Sequence, residues 1–381
     1  MEKTILLVGE SYHNANLYYK TRFLTNNQFI YLYHRGVGTI ICATSDWERA
    51  KNESIISELH PYSSFDYAKH IKQVGHKDLA FLLMLKDVLN SYEIKSMTVP
   101  RDFPAFYANG LMKMGFHISI DCDLFLKERN IKSADEVQWI RETQQALEKG
   151  MASAEEIIRQ SDVRDGVLIY EGKTLTNKRL SQYIEIALLK EDCNVFNTIV
   201  ACGKNSSEPH YSGFSELEAN EPILIDIFPF HKKNRYFADM TRTFTKGHSN
   251  PEIHDMYESV LRAQQKVISM AKAGVTANHI YETACDSFNR DGYLTLREQK
   301  ASEPLINTGF LHSLGHGIGL DVHEPPFLFS QDIELRPGNV ITIEPGLYNP
   351  ELGGVRIEDI ILIKEESCEV LSQYHKDFVI N

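Results

Sequence analysis

Residues 313–326 read SLGHGIGLDVHEPP, which sets His316 and His323 seven positions apart among glycines and prolines. A packed strand has no need of two imidazoles. Neutral imidazole binds metals, carries protons and donates hydrogen bonds. Elsewhere in the same half of the chain, carboxylates stand inside apolar runs. Asp226 lies in ILIDIF, Asp239 in YFADMTRTF, Glu344 in ITIEPG and Glu358 in VRIEDI. A carboxylate in an apolar strand is costly unless it is paired or bound to a cation. Four of them brought together repel one another unless cations are present. One imidazole from the histidine stretch completes five ligands, mainly oxygen donors. That set suits two divalent ions sharing carboxylates, with manganese, cobalt or iron ahead of a thiolate-type zinc site.

Each residue alone has a plainer reading. A strand Asp is commonly salt-bridged, and Arg242 or Arg356 is available; a His among glycines is commonly a turn residue. The recurrence of two Asp, two His and two Glu in similar settings is what carries the metal reading.

These residues need strands to present them. ILIDIF and YFADMTRTF, joined by PFHKKNR, read as an antiparallel hairpin that brings Asp226 and Asp239 together. NVITIEPGLY and GGVRIEDIILI, joined through NPEL, repeat the design for Glu344 and Glu358. VFNTIVACG is a further strand. Four helices accompany them. Ser133 and Glu136 form a capping box that opens a long helix. A second helix runs from Thr176 to Lys190. Pro251 opens a third, which Gly274 closes. The fourth is ANHIYETACDSFNRDG. The order helix, helix, strands, helix, helix, strands predicts an α+β domain over residues 131–381 with a hint of internal duplication. Before it, TILLV, FIYLY, GTIICAT and HISIDCDLF alternate with helical spacing in FPAFYANGLMKMGF. This predicts a smaller α/β domain over residues 1–130, with a charged connection near residue 130.

Composition narrows the field. A net charge of −12 argues against a nucleic-acid surface. GVGTI lacks the later glycine of a dinucleotide loop. The six cysteines form no CxxC pair and read as buried or free thiols. The first twenty residues make neither a signal peptide nor a membrane span, so the expected location is the cytoplasm, with no membrane partner.

From about residue 133 to the end, the chain resembles the pita-bread metallopeptidases, the group of methionine aminopeptidase, aminopeptidase P and prolidase. The ordered blocks FNTIVACGKNSSEPHY, LIDIFPF…YFADMTRTF, FLHSLGHGIGLDVHEPP, ITIEPGLY and VRIED carry the resemblance. The preceding domain is similar to the creatinase-type N-terminal domain of prolidases and aminopeptidases P. The resemblance implies a dinuclear site of Asp226, Asp239, His316, Glu344 and Glu358, and a homodimer. Manganese is the first expectation for the metal, with cobalt, zinc or iron as alternatives. It also implies substrate contacts from His210, His312 and His323. His312 and Arg356 are expected to shape or orient the site, since Arg356 stands two residues before Glu358 and on a strand faces the same side. Two departures stand out. Phe228 and Pro229 follow Asp226 where a glycine two residues on is usual, and the hairpin loop is longer.

The implied reaction is hydrolysis of the bond before proline. Peptides with proline in second place are the expected substrates, cut in the aminopeptidase P manner. The alternative is an Xaa-Pro dipeptidase. His323, Glu344 and His210 are the catalytic candidates. His323 donates to the developing oxyanion, and Glu344 carries a proton to the leaving nitrogen. Thr241 and Arg242 are expected to orient the Asp239 hairpin. The preference for longer peptides rests on Phe327, since a dipeptidase needs a cation such as Arg for the proline carboxylate. His312 and Arg297 are the substitutes considered. Two rival classes remain at this stage: a binding-only relative, and an amidinohydrolase acting on a small guanidino compound.

Overall fold

The computed structural model describes residues 3–299 and 305–381. The chain divides into two compact units between Arg129 and Asn130.

In the first unit, short apolar runs form a six-stranded mixed sheet. Its order is Glu58–Pro61, Val37–Cys42, Phe29–His34, Ile5–Gly9, Ser96–Pro100, His117–Asp121. Successive strand side chains face opposite ways. Leu6, Val8, Ile30 and Leu32 therefore join one apolar cluster with the helix Lys77–Ser91. Ile5, Leu7, Phe29 and Tyr31 join another with the helix Ala15–Thr21. Burial on both faces explains why these strands read as unbroken apolar runs.

In the second unit, the helix Ala134–Gln160 starts at the expected capping box. Ser133 Oγ accepts from the Glu136 N–H, and the Glu136 carboxylate accepts from the Ser133 N–H. Asn177–Lys190, Pro251–Met270 and Ala277–Arg290 follow, capped by Thr176, Asn250 and Thr276. Gly274 does not close the third helix. That helix ends at Met270, with Ala271 already extended. Tertiary bonds draw the chain away before the glycine, from Ala273 N–H to Lys364 O and from Gly274 N–H to Leu335 O.

Two sheets carry the site. Thr198–Cys202, Ile223–Ile227 and Met240–Phe244 form an antiparallel three-stranded sheet. The other sheet has five strands, in the order Glu324–Phe327, His316–Gly317, Val340–Ile343, Asp359–Ile363, Cys368–Val370. Apolar faces of Pro251–Met270 and Ala277–Arg290 pack on Ile341, Ile343, Ile357 and Ile361. The glutamate segments are not the continuous strands that their sequence predicts. Val340–Ile343 pairs with Asp359–Ile363, and Gly346–Asn349 pairs with Gly353–Arg356. Glu344–Pro345 and Ile357–Glu358 fall between the two ladders. Pro345 has no N–H to continue a ladder, which makes the break a natural one.

Candidate active site

Register places the first two carboxylates. Asp226 is opposite Thr241, and Asp239 precedes Thr241 by two residues. Asp226, Thr241 and Asp239 thus face one side. Glu358 reaches the same place from the hairpin break: its backbone N–H donates to Thr241 O, and Thr241 Oγ1 donates to Glu358 Oε2 at 2.8 Å. Arg242 ties the acid-bearing segments together. Its guanidinium donates to the carbonyls of Thr241 and Glu358, to Asp359, and to the carbonyls of Tyr374 and His375.

The histidine stretch is packed rather than loose. A Cβ on Gly315 would lie 2.1 Å from Thr342 O, and one on Gly317 2.2 Å from Pro325 O. The glycines permit close strand approach, not flexibility. The His316 ring shares a hydrogen bond with Gly317 O through Nδ1 at 3.0 Å, so that nitrogen carries the proton. Nε2 is left with its lone pair towards Glu344 Oε1 at 3.4 Å and Asp239 Oδ2 at 3.8 Å. Burial, and then His323, push the His316 pKa down to about 3, so the ring is neutral. One atom each from Asp239, His316 and Glu358 lie within 4.8 Å of one another. Asp226 stands beside this group, held by Arg356 Nη2 at 2.7 Å.

The electrostatics are unfavourable as they stand. Burial, then Glu358, Asp226 and Glu344, push the Asp239 pKa up. Burial, then Glu344 and Asp226, push Glu358 up. Burial raises Glu344 to about 7, against the pull of Arg356. Among the described residues, Asp226 Oδ1, Asp239 Oδ1 and Glu358 Oε1 are buried with no hydrogen-bond partner. Buried acceptors of this kind are rare in folded proteins and call for a cation or water.

The cluster lines a cavity of about 580 Å³ together with His210, His312, His323, Phe228 and Phe327. The nine residues expected from the sequence to bind metal, act in catalysis or meet substrate all line it. The His323 ring lies edge-on to that of His316, with centroids 4.3 Å apart. Burial lowers its pKa, against the pull of Asp226. His312 lines the same cavity. Its Nδ1 donates to Ser313 O at 2.7 Å, and Nε2 accepts from Tyr348 O–H at 2.8 Å. Both ring nitrogens are spent within the protein. Tyr348 also accepts from Arg356 Nη1, whose Nε donates to Thr241 Oγ1. Tyr348 is absent from the candidates above; its one local signal is a polar OH four residues after Glu344 in ITIEPGLY.

This fold and this cluster of buried carboxylates around an imidazole define a metal-dependent hydrolase of the pita-bread type. The chain belongs to metallopeptidase family M24, whose model matches residues 138–365. Over 262 residues it is 32% identical to a Xaa-Pro dipeptidase of Pyrococcus furiosus, covering 68% of this chain and 67% of that protein. An X-Pro aminopeptidase from Thermotoga maritima superposes with a TM-score of 0.81 at 26% identity, over 99% of this chain and 97% of the other. A prolidase from Pyrococcus horikoshii gives 0.78 at 27% identity, over 99% and 95%. The protein is therefore a peptidase of a family that works with divalent metal ions, and the orphaned carboxylate oxygens fit such ions.

Proposed function

We propose that the protein hydrolyses the bond between a residue and a following proline, with Xaa-Pro dipeptides as its first substrates. The observation that carries this reading is the set of unpartnered oxygens on Asp226, Asp239 and Glu358, carboxylates that line one cavity with His316. The preference for dipeptides follows the Xaa-Pro dipeptidase relative and departs from the longer peptides expected of the sequence. Asp226, Asp239, His316, Glu344 and Glu358 would hold two divalent ions, manganese first. Bound there, the ions supply Lewis-acid polarisation and lower the pKa of water.

The chain's own groups do the rest. Glu344 takes the proton of the attacking water and hands it to the proline nitrogen. That nitrogen is a tertiary amide with no N–H, so it leaves only when protonated. His323, neutral at the cavity wall, donates a ring N–H to the developing oxyanion. His210, on the exposed loop after Ser207, lines the same cavity and orients the scissile carbonyl. Arg356 and His312 hold Asp226 and Tyr348 in place. A cytoplasmic homodimer completes the proposal; the six cysteines without a disulfide suit a reducing compartment. No helix among the described residues is long and apolar enough to cross a membrane.

A second reading, an aminopeptidase acting on Xaa-Pro-Yaa, has its own support. Among the described cavity-lining residues the one Arg or Lys is Arg356, and its bonds go to Asp226, Thr241 and Tyr348. Arg297 is held by Glu282, Asp286 and Glu298. Phe327 lines the cavity where a carboxylate partner would be useful. Comparing kcat/KM for Xaa-Pro and Xaa-Pro-Yaa at equal manganese load decides between them. A tenfold advantage of the dipeptide, about 1.4 kcal/mol in transition-state binding, supports the first reading. The reverse ratio makes the enzyme an aminopeptidase. Cleavage of neither peptide refutes both.

A further inference from the structure

Gln264 lies on the helix Pro251–Met270, fully buried among apolar side chains. Its Nε2 donates to Ile343 O at 3.1 Å and to Ile357 O at 3.0 Å. Both partners are acceptors, so the orientation of the amide is fixed. These two carbonyls belong to the peptide units that lead directly into Glu344 and Glu358. The other end of each unit is also held. Glu344 N–H donates to Leu314 O at 2.9 Å, and Glu358 N–H donates to Thr241 O at 3.1 Å. Each glutamate thus hangs from a peptide plane gripped at its oxygen by Gln264 and at its nitrogen by another segment. The grip falls where the two hairpin ladders are interrupted, where ladder pairing does least to set those planes.

Packing alone does not account for a glutamine here. Its Oε1 is buried with no partner. An unsatisfied acceptor is costly, whereas Met would fill a similar volume without one. We infer that Gln264 is a positioning residue that sets the directions of Glu344 and Glu358 together, through one amide bound to both backbones. The inference rests on the reading of these glutamates as metal ligands. Partners outside the ligand set orient ligands, and their loss weakens metal binding by about 10–100-fold.

The test is calorimetric titration of manganese into chelator-stripped full-length protein, with melting of the stripped protein alongside. Gln264→Met is compared with wild type and with Ile253→Ala, a core truncation about three turns away on the same helix. The expected result for Gln264→Met is a manganese Kd about 10–100-fold weaker, with far-ultraviolet circular dichroism unchanged. Ile253→Ala is expected to melt earlier with its Kd unchanged. A folded Gln264→Met with a wild-type Kd overturns the inference and leaves the metal reading intact. Equal loss of affinity in Ile253→Ala also overturns it, since affinity would then merely track stability. A wild type that takes up no manganese overturns the metal reading and this inference with it. If Gln264→Met does not fold, Gln264→Asn, whose shorter amide cannot reach both carbonyls, is judged by the same Kd criterion.

Discussion

Replacing Glu358 by Gln should stabilise the protein when metal is removed and destabilise it, relative to wild type, when metal is supplied. A carboxylate oxygen of Glu358 and one of Asp239 lie within 4.8 Å of each other and both residues are buried. Two ionised carboxylates at that separation repel by about 3.5 kcal/mol at an effective dielectric constant of about 20. The amide keeps the shape and still accepts from Thr241. It also offers an N–H where Glu358 Oε1 has no partner. The net gain at pH 8 in chelator should be about 2–3 kcal/mol, or roughly 4–10 °C in Tm for a unit of this size. The pH dependence fixes the sign. The folded pKa of Glu358 and Asp239 is raised, so the folded state binds more protons than the unfolded one. Stability of the stripped wild type is then highest below the unfolded carboxyl pKa and falls as pH rises. Glu358→Gln has one such group fewer, so its Tm should fall less, and its advantage should widen from pH 5 to pH 8. Adding manganese should raise the wild-type Tm by mass action and leave the variant nearly unmoved. Melting curves at three pH values, with chelator and with manganese, supply the measurement. A variant that melts below wild type at pH 8 in chelator would refute the repulsion account.

Three further outcomes are expected. His323→Ala should lower kcat by about 10²–10³-fold, as loss of an oxyanion donor does, with manganese content unchanged by elemental analysis; matched loss of metal would make His323 a ligand. Lys132 and Glu324 form a buried ion pair at 2.6 Å beside His323. Lys132→Met should cost about 3–5 kcal/mol in urea unfolding, and adding Glu324→Gln should recover much of it; a single variant within about 0.5 kcal/mol of wild type would show that the pair contributes little. Phe327→Arg should shift kcat/KM about tenfold towards Xaa-Pro over Xaa-Pro-Yaa by giving the proline carboxylate a bidentate partner; an unchanged ratio would place that carboxylate elsewhere in the cavity.

Much of the site was legible in the chain because its signals are local. An acid inside an apolar run contradicts its surroundings wherever the run ends up, and Asp226, Asp239, Glu344 and Glu358 were found that way. The capping box at Ser133 and Glu136 involves residues three apart, so its bonds follow from helix geometry alone. Other features depend on partners that spacing cannot supply. Arg356 reaches Asp226 across 130 residues, and Thr241 reaches Glu358 across 117. The orientation of the His316 ring was likewise decided by folding: Gly317 O takes the Nδ1 proton and turns Nε2 towards the acids. Tyr348 and Gln264 escaped notice because a Tyr in a strand and a Gln in a helix are ordinary residues until their partners are known. A His among glycines reads as a turn residue, yet a Cβ on Gly315 or Gly317 would strike backbone oxygens at 2.1 and 2.2 Å. Sequence determines which side chains are out of place in an apolar setting. Only tertiary packing decides which backbone groups come close enough to aim them.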